Sequence, residues 1–313
     1  MLELTSNGII PVETMKDLIT SIYVLVDDIY QESIPLEIKH RLHRDKAILS
    51  DSEIITIALA GELMTIDSEN AWVRYVRKNM CDLFPRMCER SRFNRLRRNL
   101  MSVTEQIRVK LGTMLNFTHS SLRIVDSFPL EVCEFGRANF VQSFKYEGAN
   151  YGYCPSKKKT YFGYKVHALC TENGYISDLL LTPASIDDRD AVWELIEEYN
   201  RHLKLIGDKG YVGARFAQDL AEEKGVLMIT LKRDNAKNPE PKPIRQHIFK
   251  IRRRIETSFS QLNDQFNAET TRAKTLWGLL TRLQTKILAF NLCFAINWIS
   301  GAENLALIKS LVF

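Results

Sequence analysis

The sequence has no uncharged run as long as a bilayer-spanning helix requires. Its longest uncharged stretch, residues 287–302, holds sixteen residues and includes Asn291, Asn297 and Ser300, whereas a spanning helix needs about 20 apolar residues. A buried core helix and no membrane partner are expected. Cysteine is sparse: the six sit at positions 81, 88, 133, 154, 170 and 293, with no C-x-x-C pair and no zinc-ligand spacing. That argues against a disulfide scaffold and a zinc module and fits reduced thiols in the cytoplasm. Residues 1–17 carry no basic segment followed by an apolar core, so no signal peptide is expected. With 14 Gly and 9 Pro there is no low-complexity tract and no internal repeat. Glycine is missing between Gly8 and Gly61, which favours helices over hairpins there. What remains, 313 residues with 45% apolar and 26% charged content, suffices for one large or two ordinary domains.

Apolar residues recur at helical spacing through 15–30 and 54–63, and residues 71–78 and 92–100 continue the pattern. Ser50 and Glu53 have capping-box spacing ahead of the second of these helices. Near residue 115 the character changes. Residues 121–132 open with β-formers and are expected to break at Pro129. Residues 160–170 and 175–182 read as strands joined by a turn at Asn173-Gly174. A helix opened by Ser185-x-x-Asp188 follows, with Val192, Leu195, Ile196 and Tyr199 as its stripe. The pattern continues with a strand at 203–206, a helix at 214–224 ended by Gly225, and a strand at 226–231. Three prolines mark 232–245 as an exposed loop, and helices are expected at about 246–266 and from Leu276 onward.

The net charge of +5 hides local concentration. Residues 86–98 hold six arginines and one glutamate, and residues 242–254 hold six basic residues and no acid. Basic helical stretches suit phosphate contacts, since each neutralised phosphate releases counterions. Residues 187–198 hold six acids against one arginine.

Three acids stand out by position. Asp126 ends the run Arg123-Ile124-Val125, Asp208 ends the strand at 203–206, and Glu256 lies on a helix in Arg252-Arg253-Arg254-Ile255-Glu256. Carboxylates at strand ends sit where α/β sheets place their chemistry. Each also has a purely structural reading: Asp126 as a turn former, Asp208 as a cap, and Glu256 as the i,i+4 partner of Arg252. Asp187 and Asp188 are read as capping a helix. Residues 50–78 fit either a helix-turn-helix or an ordinary bundle.

The combination resembles the DDE transposases of bacterial insertion sequences. The residues that carry it are Ile124-Val125-Asp126-Ser127, Tyr164-Lys165-Val166-His167, Leu205 to Tyr211 with Gly207-Asp208-Lys209-Gly210, and Arg253-Arg254-Ile255-Glu256. The Leu49 to Ile55 run and Ser91-Arg92-Phe93-Asn94-Arg95 look most like the insertion-sequence family "nine-eighty-two". In the related Tyr–Arg–Glu–Lys signature Arg252 matches the arginine, while Phe249 and Asn263 stand where tyrosine and lysine would be.

The resemblance implies a ribonuclease H-like mixed sheet flanked by helices. It divides the chain into an N-terminal helical DNA-binding region (1–115), a catalytic domain (116–300) and a tail (301–313). Asp126, Asp208 and Glu256 would be both the catalytic acids and the ligands of two Mg²⁺ ions, with Mn²⁺ as a substitute. Arg92, Arg95, Arg97, Arg98, Lys165, His167, Lys209, Arg252 and Arg253 would contact DNA. The expected activity is cleavage at the element's inverted repeats and joining of the 3′-hydroxyl to target DNA. Double-stranded DNA and a second copy in a synaptic homodimer would be the partners, in the nucleoid-containing cytoplasm. A non-catalytic DNA-binding regulator and a nuclease that cuts without joining are the alternatives.

Overall fold

Capping boxes open two of the N-terminal helices. In the computed structural model, which describes residues 14–311 apart from 43–45, 145, 156, 197–201 and 232–239, Thr14 and Asp17 form a capping box at the start of α1 (Met15–Ser33). Ser50 and Glu53 do the same for α3 (Asp51–Leu63), as expected. Between them lies the short α2 (Leu36–Lys39), and α4 (Glu69–Asn79), α5 (Arg90–Asn99) and α6 (Met101–Met114) follow. The later helices are α7 (Asp188–Leu195), α8 (Ala214–Asp219), α9 (Lys242–Phe266) and α10 (Leu276–Ile299). The chain groups into two compact units, Met1–Leu115 with Asp264–Phe313, and Asn116–Asn263.

The first unit is built around α10. Every residue from Ile287 to Asn297 is buried, and a helix apolar all round needs cover on every side. α3, α5 and α6 supply it. This is why α10, which the sequence reading attached to the 116–300 region, packs with the N-terminal helices. It is long and apolar enough to cross a membrane, but most of its apolar stretch is core of this unit. The 301–313 tail is anchored too: Asn297 Nδ2 donates to the carbonyls of Leu305 and Leu307 at 2.9 and 3.1 Å, and Ile308 is buried.

The second unit holds a mixed sheet of β1 (Leu122–Glu134), β2 (Asn150–Cys154), β3 (Lys159–Cys170), β4 (Ile176–Pro183), β5 (Lys204–Gly207) and β6 (Leu227–Thr230). β1 is antiparallel to β3 and parallel to β5, and β5 is parallel to β6. The other edge of β3 is shared, with β2 along Lys159–Gly163 and β4 along Tyr164–Cys170. Side chains alternate across β1. Ile124 packs with Ile255 and Ile251 of α9, and Phe128 meets Phe259 edge-on at 4.8 Å. Val125 points the other way, into a core shared with Leu169, Val192, Leu195, Leu205 and Leu220. Helices therefore cover both faces of the sheet.

The hairpin at Asn173-Gly174 forms as expected, with Gly174 at φ +98°. Four expectations change. β1 runs straight through Pro129, because β5 pairs only with Leu122–Ile124 and the missing N–H costs no ladder bond on that side. β2, unanticipated, makes β5 the fifth strand rather than the fourth. α9 begins at Lys242 with Pro243 in its first turn, where an amide donor has no helical acceptor anyway. The cap of α7 is Asp187, whose carboxylate accepts from Arg189 N, and not Ser185. Tyr199, most of the proline loop (232–239) and residues 1–13 lie outside the described residues.

Candidate active site

Strand register places two of the three acids together. Ile124 of β1 pairs with Ile206 of β5 in parallel, so two residues further along each chain Asp126 and Asp208 fall side by side on the same face. Adjacent strands are about 4.8 Å apart. Asp126 is half-buried, and its Oδ1 accepts from Ser127 N at 2.8 Å. Loss of water pushes its carboxyl up to about 7, helped by the charges of Asp208 and Asp188; the Ser127 amide and Arg252 pull the other way. Asp208 Oδ1 accepts from Gly210 N at 2.7 Å. Its capping duty is thus real and coexists with its place beside Asp126.

The glycines of Gly207-Asp208-Lys209-Gly210-Tyr211 have steric reasons. A Cβ on Gly210 would sit 2.9 Å from Asp208 Oδ1. A Cβ on Gly207 would meet the Tyr211 ring at 2.8 Å and Met228 Cε at 2.5 Å. Tyr211 fills the room Gly207 leaves and is 1% exposed. Burial raises its phenol well above the ordinary value of 10, and Asp188, Asp126 and Asp208 reinforce this. The hydroxyl therefore stays protonated and makes a poor nucleophile.

Glu256 follows Ile255, which is buried against Ile124, so it lies on the helix covering the Asp126 face. Its carboxylate is paired with Arg252 Nη2 at 2.7 Å. Arg252 thus faces two acids, holding Glu256 and lowering the proton affinity of Asp126. Arg252 and Arg253 also both lie over the Phe249 ring, 5.7 Å from its centroid; this is a hydrophobic and cation–π duty at the position where the signature has tyrosine. Among the described residues no three carboxylate, histidine or cysteine side chains are already arranged to hold a metal. Asp126 and Asp208 come together, and Glu256 is held by Arg252.

Sequence reasoning gave Asp188 only a capping duty. With Asp187 serving as the cap, Asp188 turns to the sheet. Its Oδ1 accepts from Lys165 Nζ at 2.9 Å and Ser127 Oγ at 3.2 Å, and lies 3.6 Å from His167 Nδ1. Two acids at a helix start that needs one cap was the available signal. Lys165 also donates to the Ile186 carbonyl at 2.8 Å. His167 is 1% exposed and hydrogen-bonded through Nε2 to Thr182 Oγ1 at 2.9 Å. Burial pushes it down to about 4, with Lys165 adding and Asp188 opposing, so it is neutral near pH 7. A DNA-facing role does not fit so enclosed a ring; the pairing Ser127↔His167 turns it toward α7.

The expected DNA-contacting arginines divide. Arg92 and Arg95 are exposed on α5. Arg97 is one helical turn after buried Phe93, hence on the inward face, and its guanidinium pairs with Glu62 at 3.0 Å. Arg98 stacks on Trp277 at 4.9 Å. Lys209 and Arg253 are exposed.

The donors beside Asp126 are all oxygen, and the upward push on its carboxyl registers negative charge crowded into a poorly hydrated place. That chemistry fits a hard divalent cation. Comparison with known proteins finds that residues 118–292 match the family described as "Transposase DDE domain". No curated protein matches.

Proposed function

Because the chain belongs to the transposase DDE domain family, we propose that it cleaves DNA at the ends of a mobile insertion sequence and joins the freed 3′-hydroxyl to target DNA. The carrying observation is the register that sets Asp126 beside Asp208, in surroundings that raise the Asp126 carboxyl to about 7. The fold we propose is ribonuclease H-like, supported by four antiparallel strands extended by two parallel ones, with helices on both faces.

Asp126 and Asp208 would hold Mg²⁺, with Glu256 joining them on release from Arg252. When bound, two such ions would supply Lewis-acid activation of the attacking oxygen and stabilisation of the leaving one. The protein's own groups do the placing. Gly207 and Gly210 let the second aspartate approach. The Ser127–Asp188–Lys165 cluster fixes β1 against β3 and α7. Arg252 holds Glu256 through their ion pair until a stronger cation competes. Tyr211, enclosed and protonated, excludes water from beneath the acids. Exposed Arg92 and Arg95, with Lys209 and Arg253, would meet DNA phosphates. Two copies acting together, one for each DNA end, complete the proposed assembly.

The test pairs Asp126→Asn with metal exchange on a duplex carrying the element's end. Cleavage and strand-transfer products should disappear in the variant and in chelator, return with Mg²⁺ or Mn²⁺, and stay absent with Ca²⁺, while DNA affinity changes little. Cleavage that persists in excess chelator would overturn the reading. Cleavage without joined products would reduce the protein to a nuclease.

A further inference from the structure

In the helical unit a cleft of ≈ 580 Å³ opens between the start of α4, one face of α5 and the start of α10. Six of its lining side chains are basic (Arg90, Arg97, Arg98, Arg272, Lys274 and Arg282) and two are acidic. The acids are already engaged. Asp67 accepts from Asn267 at 2.8 Å and lies 3.5 Å from Lys286, while Glu69 accepts from Asn94 at 2.9 Å and pairs loosely with Arg90 at 3.6 Å. Arg97 is committed to Glu62. That leaves Arg98, Arg272, Lys274 and Arg282 with no carboxylate within 4 Å among the described residues. Arg98 Nε is buried with no hydrogen-bond partner.

Backbone polarity adds to the side chains. α10 begins at this cleft with Thr275 as its N-cap and no acid in its first turn, so the positive end of a 24-residue helix dipole is left unneutralised. Burial and the neighbouring Arg97 charge lower the proton affinity of Arg282, while the charges of Glu62, Glu69 and Asp67 oppose them.

We propose that this cleft seats the sugar–phosphate backbone of duplex DNA, with Arg98, Arg272, Lys274 and the N-terminus of α10 meeting neighbouring phosphates. A long polyanion fits better than a small one, because the positive charge continues beyond the cleft along α5 through exposed Arg92 and Arg95. The proposal deepens the reading of the chain as a DNA-acting protein and rests on it. It also moves the expected contact away from Arg97, which holds the cleft's floor instead.

The experiment measures binding of a fluorescent 30-bp duplex of arbitrary sequence to the full chain across a range of NaCl. Arg272→Ala with Lys274→Ala is compared with the parent and with the charge-keeping pair Arg272→Lys and Lys274→Arg. Both positions are exposed, and thermal melting verifies that the variants fold. Loss of two phosphate contacts should flatten the slope of log K against log salt by about 2, at roughly 0.9 per contact. The charge-keeping pair should retain the parent's slope. An unchanged slope in the alanine pair overturns the proposal. The functional reading is judged separately by the parent's strand cleavage. A flattened slope with no cleavage sinks the transposase reading and leaves the cleft standing; cleavage with an unchanged slope does the reverse.

Discussion

Two glycines decide where the second aspartate can stand. At position 210 any side chain would press on Asp208 Oδ1, which a Cβ would approach to 2.9 Å. Gly210→Ala should therefore displace the carboxylate while leaving the sheet intact. A misplacement of about 1 Å costs on the order of 10²-fold in rate, so cleavage should fall by about that factor with DNA affinity preserved, as single-turnover assays would read. Asp126 and His167 make an opposed pair in their response to pH. Asp126 rises from 3.8 to about 7 on folding, so the folded state holds the extra proton and this contribution to stability is lost as pH climbs through that window. His167 falls from 6.5 to about 4, so its contribution is present above 6.5 and lost as pH drops through 4. Between roughly pH 4 and 6.5 the two slopes oppose each other. In metal-free protein Asp126→Asn should remove one slope and leave stability rising with pH, steeper than in the parent. Urea unfolding at several pH values would test it, and parallel curves would contradict the assignment.

At the scale of elements, α9 is seated by few large contacts. Ile255 is fully buried against Ile124 and Cys170. Ile255→Ala should cost about 2–5 kcal/mol and loosen the helix that carries Glu256, lowering both the urea midpoint and cleavage. The elements were legible in sequence where one physical signal dominated. The Ser50–Glu53 capping box, the Asn-Gly turn and the Leu276 stripe all announce themselves locally. β2 did not, because Asn150, Tyr151 and Tyr153 are polar or exposed and Gly152 interrupts the run; only pairing with β3 makes it a strand. Pro129 misled for a related reason, since its cost depends on which edge of β1 lacks a neighbour. Asp208 was readable from its strand-end position, whereas Asp126, read the same way, lies inside β1 just past the end of its pairing with β5. Asp188 and Arg97 were not readable, because a second acid at a helix start and an arginine amid arginines reveal their partners only in three dimensions.

At the scale of the whole molecule, the helical unit is stitched across the sequence by buried charge. Lys286 is 2% exposed, pairs with Glu62 at 2.7 Å and lies 3.5 Å from Asp67. Lys286→Met should leave Glu62 dependent on Arg97 alone, and breaking such a buried pair costs roughly 3–5 kcal/mol; a fall in the thermal midpoint of the metal-free protein would register it. These ties join residues 224 positions apart, which bears on how the chain emerges from a ribosome. The helices before β1 wait for a core helix made after the whole sheet, whose strands are all in place before α10 exists. A polypeptide halted near residue 263 would hold both aspartates and Glu256 but lack α10, whose burial completes the N-terminal helices. Synthesis order thus withholds the proposed DNA-gripping surface from any incomplete product, even though the proposed cutting residues are already present.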